Sequence, residues 1–557
     1  MTQPAGFRPL QRSHVHSPGA FGYAAFAAAV ALLIPIGAVL YTMFAPGEGA
    51  WSHLVQTVLP DYVRTTVLLL CSVALGVFVL GTASAWLVTA YRFPGAGLLE
   101  WALILPLAMP AYVIAYAYTD VLQFAGPVQT WLRELMGWRA RDYWFPDIRS
   151  TGGAAVVFTF VLYPYVYLLA RSAFLEQSAS LVEAGRLMGR GAWGTFALIA
   201  LPLARPAIAA GVSLALMETL ADFGAVSYFG VQTFTTGIYR AWLSMGDTVA
   251  AAQLSAVLLG FVALVLLAER MTRGRARFYN FAPHGPARSP ALRGASAAAA
   301  ALVCAIPPLL GFFLPAGILL HVALTAPEPL FTIRFLSLAV NTLTLAAMTS
   351  VAAVAFAVLL AYAARLSESP VVRVANRLAS LGYAVPGAVI AVGVLMPLGR
   401  LDNLIADWAR VQLGANIGLV LTGGIAALIY AYLVRFLAVA LQTVEAGLGK
   451  IRPSMDDAAR SLGHTPSRTL LQVHVPIMRG SLFTAALIVF VDVMKELPAT
   501  FAMRPFNFDT LAVQAYNMAK DERLAEAAAA SLVIVAVGLV PLVFVSRTVT
   551  RGRIRTD

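Results

Sequence analysis

The chain has 557 residues, 60% of them hydrophobic and 12% charged, against roughly 45–50% and about 25% in an ordinary soluble protein. That excludes an ordinary soluble enzyme, and no stretch of about 100 residues is free of long apolar runs in which a soluble domain would fit. The net charge of +12 suits either nucleic acid or a membrane surface, and the placement of the 39 basic residues decides between them. The two cysteines, Cys71 and Cys304, both fall in apolar runs, so neither a disulfide framework nor a thiolate metal site is available.

A helix needs about 20 mostly apolar residues to cross the hydrocarbon core. Twelve such runs follow in chain order, centred near Leu32, Val79, Leu107, Phe160, Leu214, Leu258, Leu309, Phe356, Ile390, Leu428, Ile488 and Val537. The third and eleventh are interrupted by prolines or charges. Residues 1–20 carry no Ala-x-Ala cleavage pattern, so Arg8 and Arg12 read as the cytoplasmic flank of an uncleaved first span. From that start, 26 basic residues fall on the cytoplasmic side, 12 on the opposite side, and Lys495 alone within a span. This is the positive-inside bias, and it puts both termini in the cytoplasm. Bases scattered over so many segments form no nucleic-acid footprint.

The arginine- and proline-rich stretch 269–295 reads as a basic cytoplasmic linker between two sets of six spans, 21–268 and 296–546, with 547–557 as a cytoplasmic tail. A self-comparison finds a repeat at an offset of 274 residues: Glu183-Ala184-Gly185-Arg186 aligns with Asp457-Ala458-Ala459-Arg460, Gly189 with Gly463, Pro202 with Pro476 and Arg205 with Arg479. The register continues through Glu218 and Asp492, Asp222 and Glu496, Thr236 and Thr510, and Asp247 and Asp521. Pro110 to Ala115 matches Pro386 to Ala391 at an offset of 276. Because six is even, both halves enter the membrane in the same sense, and a parallel repeat with a path between the halves is expected.

Cytoplasmic loops, 171–205 and 442–480, follow the fourth span of each half. Ser180 to Glu183 reads as a capping box, and Ser454 to Asp457 repeats it with a shorter acid. Gly189 and Gly463 suit the left-handed position that ends a helix, and Thr465-Pro466 supplies a cap and first-turn proline for a second helix. These residues resemble the conserved cytoplasmic loop of binding-protein-dependent ABC importer permeases, whose pattern is Glu-Ala-Ala, three residues, Gly, nine residues, Ile-x-Leu-Pro. The first copy reads Glu183-Ala184-Gly185, Gly189, Ile199-Ala200-Leu201-Pro202, and the second Asp457-Ala458-Ala459, Gly463, Val473-His474-Val475-Pro476. Departures are Gly185 in one copy and Asp457, Val473 and Val475 in the other, which makes unequal docking sites an expectation. Glu445-Ala446-Gly447 is a decoy, with Ile451 where the glycine belongs.

The resemblance implies an all-α polytopic membrane protein of about 12 transmembrane helices, two parallel six-helix repeats like a type I ABC importer permease, in a bacterial inner membrane. It implies that each loop is a coupling helix docking one of two copies of a separate ATPase, with a periplasmic substrate-binding protein as a further partner. ATP and Mg then sit on the ATPase and no cofactor on this chain. No Gly-x-x-x-x-Gly-Lys-Ser/Thr phosphate loop occurs, Gly447-Leu448-Gly449-Lys450 being followed by Ile451, and no catalytic set or His/Cys metal-ligand pair is apparent. The segments Glu218 to Tyr239 and Lys495 to Ala512 are most similar to fused ferric-iron importer permeases, with thiamine, phosphonate and polyamine permeases close enough to leave cargo open. An ion-gradient-driven carrier of 12 spans is the rival reading, and it does not require the paired loops.

Glu218 and Asp222 are expected on one face of span five, and Asp492 and Glu496 likewise on span eleven beside Lys495. Charges at membrane depth normally face a cavity or a partner. Asp222 stands 17 residues beyond Arg205, about 25 Å by the helix rise, far from any ATPase. Either the four carboxylates line the path as an oxygen-rich vestibule, or they pair with Lys495 and backbone groups and fix packing. Met217, Met494, Tyr228, Tyr239 and Tyr516 lie near them in sequence and read as packing. The outer loop 123–152, with Trp131, Trp138 and Trp144, suits either a membrane-interface anchor or contact with a soluble binding protein.

Overall fold

The computed structural model describes residues 19–45, 50–140, 142–177, 191–273, 290–326, 332–367 and 369–554. Eleven helices among them are long and apolar enough to cross a membrane, and a twelfth span results if the bent pair Ala96–Ala108 and Ala111–Met136 is counted as one. These helices expose large apolar side chains as well as burying them, which suits lipid around the bundle. Leu75 and Leu264, in the helices Leu59–Ala90 and Thr248–Arg273, are both more than half exposed.

The bend of 95° lies at the third expected span, and proline explains it. Pro110 offers no N–H and pushes Met109 into an extended conformation (φ −98°, ψ 114°), so the helix that follows starts in a new direction. Pro386, its repeat partner, has nearly the same backbone angles and starts the helix Gly387–Leu413. The fifth and eleventh spans both stop early. Leu201–Ala221 is followed by the short helices Gly224–Tyr228 and Phe234–Tyr239, and Val475–Met494 by Pro498–Met503 and Leu511–Lys520.

The described chain forms two compact units whose boundaries do not follow the repeat. One contains 19–34, Ala347–Tyr383 and Tyr432–Phe490; the other contains Pro35–Ala346, Ala384–Ala431 and 491–554. Within the first unit, Phe21 of the opening helix meets Tyr362 edge-on at 5.3 Å. In the second, the backbone at Pro35 approaches Gly393 so closely that a Cβ there would lie 2.3 Å from the Pro35 carbonyl oxygen. The helical stretch Ala295–Thr325, which opens the second half, packs on first-half helices. Gly311 admits the Phe160 carbonyl, and the Tyr118 hydroxyl donates to the Leu310 carbonyl. The first helix of each half thus packs against helices of the other half, which is why contiguous sequence halves are not compact units. The end of the linker is tied down as well, since Arg92 N–H donates to the Pro290 carbonyl at 3.1 Å and Leu292 N–H to that of Arg92 at 2.9 Å. Residues 1–18, 274–289 and 555–557 lie outside the described residues.

Candidate docking loops and translocation site

The second loop is a helix, a tight turn and a helix. Its first helix is Pro453–Ser461, with Arg452 at the cap position and no side-chain cap bond. The expected capping box at Ser454 to Asp457 is therefore not the start. Proline at the first helical position has its φ preset and no N–H to satisfy, so it opens the helix one residue earlier and leaves Ser454 inside the first turn. The ending is as the sequence predicts. Gly463 has φ +77°, its N–H donates to the Arg460 carbonyl at 2.9 Å, and His464 N–H reaches back to that of Ala459 at 3.0 Å. Thr465 then caps Pro466–Thr469, its hydroxyl accepting from Arg468 N–H at 3.4 Å. Asp457, Ala458, Gly463 and Pro476 are exposed, Val473 and Val475 half-buried, and Ala459 buried. The apolar side chains of Met455, Leu462 and Leu471 also stand in the open, an apolar face on a polar loop of the kind that marks a protein contact.

Sequence reasoning missed what holds this loop. Arg365, near the end of Ile333–Leu366, donates from Nε and Nη2 to Asp456 Oδ2 at 2.9 and 2.7 Å, and from Nη1 and Nη2 to the carbonyls of Leu448 and Ile451 at 2.8 and 2.9 Å. His474 Nε2 stands 2.7 Å from Asp456 Oδ1, and the Tyr362 hydroxyl donates to the Pro466 carbonyl at 2.8 Å. One guanidinium thus ties the docking helix, at Asp456, to the chain that leads into it, and Tyr362 holds the chain after it. The first copy has Val182 where Asp456 stands, so it cannot form this ion pair at that place.

Of the first loop, Glu183, Ala184, Gly185 and Gly189 lie outside the described residues. Ile199 sits in the π-turn Phe196–Ala200, and Leu201 and Pro202 open the helix that continues it. The second copy has the same π-turn at Leu470–His474, before Pro476. Proline at 202 or 476 has no N–H for the carbonyl four residues back, and the ladder widens there to the Leu201→Phe196 and Val475→Leu470 bonds. The Ala200 carbonyl accepts from Gln177 Nε2 at 2.9 Å.

The membrane acids are arranged differently from the expectation of one shared face. Helix Leu201–Ala221 ends before Asp222, which is extended (ψ 138°) and whose Oδ1 accepts from the N–H groups of Ala225 and Val226 at 2.9 and 3.1 Å. Glu496 does the same for the next helix of its half, accepting from Ala499 and Thr500 N–H at 2.8 and 2.9 Å and from the Thr500 hydroxyl at 2.6 Å. Both repeat-related acids cap the short helix after a break. Glu218 is half-buried, and Asp492 pairs with Lys495 at 2.9 Å. Among the described residues no three His, Cys, Asp or Glu come together as a metal-holding group.

The two breaks pack on each other. A Cβ on Gly224 would meet the side chains of Leu497 and Tyr112 within 3 Å, and the Tyr239 hydroxyl donates to the Pro498 carbonyl. Phe223 packs on Tyr239 at 4.0 Å and on Phe501 and Tyr516 at 5.4 and 5.6 Å. Tyr228 packs instead on Tyr116 at 4.7 Å, while Met217 and Met494 are buried. In the outer loop, helix Pro127–Met136 carries the exposed Trp131, Trp138 stacks on Tyr143 at 5.3 Å, and Trp144 is largely exposed.

A model of the family described as binding-protein-dependent transport system inner membrane component matches the chain twice, over residues 77–274 and 353–554. The chain is similar to the Fe(3+)-transport system permease protein FbpB 2 of Haemophilus influenzae, 26% identical over 86% of this chain and 88% of that protein. The sulfate transport system permease protein CysT of Escherichia coli is 28% identical over 35% of this chain and 69% of its own length. The molybdenum transport system permease protein ModB of the same species is 29% identical over 40% of this chain and 96% of its own.

Proposed function

The chain belongs to the family of binding-protein-dependent transport system inner membrane components, and from that premise we propose that it carries ferric iron, handed over by a periplasmic binding protein, through an ATP-driven importer. It is a multi-pass permease subunit of a binding-protein-dependent importer, with a transport role, and its family implies an ATPase and a substrate-binding protein as partners. The iron reading is carried by the extent of the likeness. A relative matched through both halves, over 86% of this chain, is named a Fe(3+)-transport permease, while the sulfate and molybdenum relatives match 35% and 40%.

In this reading two ATPase copies dock at Glu183 to Pro202 and Asp457 to Pro476 and hold the ATP and Mg. Their closure moves both loops, and each loop runs through its π-turn directly into a span, so the motion passes to the breaks where the halves meet and reopens the path on the other side. Uptake of ⁵⁵Fe by cells expressing the chain with these partners tests the assignment. ATP-dependent accumulation that disappears when the chain is deleted is expected; accumulation of sulfate or molybdate with none of iron would reject the cargo. Orientation has its own test. Reporters fused after Arg277 and at the C-terminus should report cytoplasm, and one after Arg141 the external side. An external signal at Arg277 would mean an odd number of spans before the linker, and the parallel repeat would fall with it.

A further inference from the structure

At the end of span five away from its docking loop, about 30 Å along the helix Leu201–Ala221 by the helix rise, the segments after the two breaks enclose a cavity of about 350 Å³. Its floor is the aromatic cluster of Phe223, Phe501 and Tyr516. Its charged lining is Arg240, in the π-turn after Phe234–Tyr239, and Lys520, at the end of Leu511–Lys520. Both are exposed, and among the described residues neither is ion-paired. No carboxylate is among the described residues that line the cavity. Of the acids near it in sequence, Asp222, Asp247 and Glu496 give oxygens to backbone amides as caps, and Asp521 and Glu522 follow Lys520 outside the lining. The neutral lining is rich in hydrogen-bonding groups. Ser227 and Tyr516 share a bond of 2.8 Å, which leaves capacity on both hydroxyls, and Gln232 Oε1 is buried with no protein partner.

Two cations with no carboxylate beside them in the lining repel a bare trivalent metal ion and attract oxygen anions. The unpartnered amide oxygen of Gln232 adds an acceptor for a hydroxyl or for water carried by the cargo. We propose that this cavity is an anion-admitting cargo site: what passes through it carries net negative charge and presents oxygen atoms, either as a free oxyanion or as ferric ion wrapped in an oxygen-donor chelate such as a hydroxycarboxylate. The proposal rests on the importer reading and names the form of the cargo.

The test is equilibrium binding to the full chain in lipid nanodiscs, with ferric citrate labelled in both ⁵⁵Fe and ¹⁴C, and with ³⁵S-sulfate as the free oxyanion. Wild type is expected to retain ⁵⁵Fe and ¹⁴C together, or sulfate, which separates the two sources. The Arg240→Gln, Lys520→Gln double variant should bind about tenfold more weakly at unchanged thermal stability, and Arg240→Lys should retain most of the binding. If the double variant does not fold, Lys520→Gln alone reports the same effect at smaller amplitude, about threefold. Retention of neither anion by wild type, binding unaltered by neutralisation, or ⁵⁵Fe held without ¹⁴C would overturn the proposal. Failure of the importer reading would show instead as ATP-independent uptake, which leaves this binding measurement standing.

Discussion

Replacing Gly463 with valine should uncouple transport from ATP hydrolysis while leaving the protein in the membrane. An added Cβ at Gly463 meets nothing within 4 Å, so the effect is one of backbone conformation and not of crowding. At φ +77° a β-branched residue is a genuine outlier, and the left-handed conformation costs an ordinary L-residue about 1–2 kcal/mol. The turn cannot relax cheaply, because Arg365 holds Asp456 and the Leu448 and Ile451 carbonyls on one side and Tyr362 holds Pro466 on the other. The strain therefore goes into the angle between the two short helices that the ATPase would grip. Uptake should fall about tenfold or more, the equivalent of about 1.4 kcal/mol at the coupling step, at unchanged membrane abundance. Gly463→Asn, which tolerates φ above zero, should recover most of it. Gly189→Val should act in the same direction with different severity, since Val182 provides no ion pair there. Wild-type transport by the Gly189→Val, Gly463→Val double variant would reject both loops as docking sites.

The elements that were legible in the sequence are those set by local rules. The prolines of the third span mark its break, Gly463 the left-handed turn, and Thr465-Pro466 the next helix start, because each acts on its own backbone within a few residues. Ser454 misled because two local signals competed, and the proline before it opened the helix. The acid pairs misled for another reason. A spacing of four is a shared face only if the helix continues, and both helices stop short of Asp222 and Glu496. A cue was present: Asp222 is followed two residues later by Gly224 and Glu496 by Pro498, and an acid just before such a breaker reads as the cap of a new helix. What stays illegible depends on long-range contact. Arg365 is 91 residues from Asp456, and Tyr239 is 259 from Pro498, so neither the clamp on the docking loop nor the cavity with Arg240 and Lys520 leaves a trace in periodicity or spacing.

Glu496→Ala should reduce stability more than it reduces transport per molecule. Glu496 is 5% exposed, and its carboxylate accepts three hydrogen bonds, two from backbone amides and one from the Thr500 hydroxyl. Deleting it leaves buried donors unmet at the start of Pro498–Met503, and a loss of about 2–4 kcal/mol is expected. Glu496→Gln should fall between this and wild type, since an amide keeps one acceptor but turns its NH₂ toward another donor. Asp222 is half-buried and meets two amides at 2.9 and 3.1 Å, so Asp222→Ala should cost less, about 1–2 kcal/mol. Thermal unfolding of the solubilised chain, membrane abundance and uptake divided by abundance separate the roles. Caps give lower unfolding temperatures and abundance with uptake per molecule near wild type. A carboxylate that touches cargo gives the reverse, with stability kept and uptake per molecule lost. Glu218→Gln and Asp492→Asn are the comparators, because Glu218 and Asp492 lie on the helices before the breaks and Asp492 is tied to Lys495. Uptake per molecule lost in Asp222→Ala or Glu496→Ala, with unfolding unchanged, would overturn the capping role and return those acids to the path.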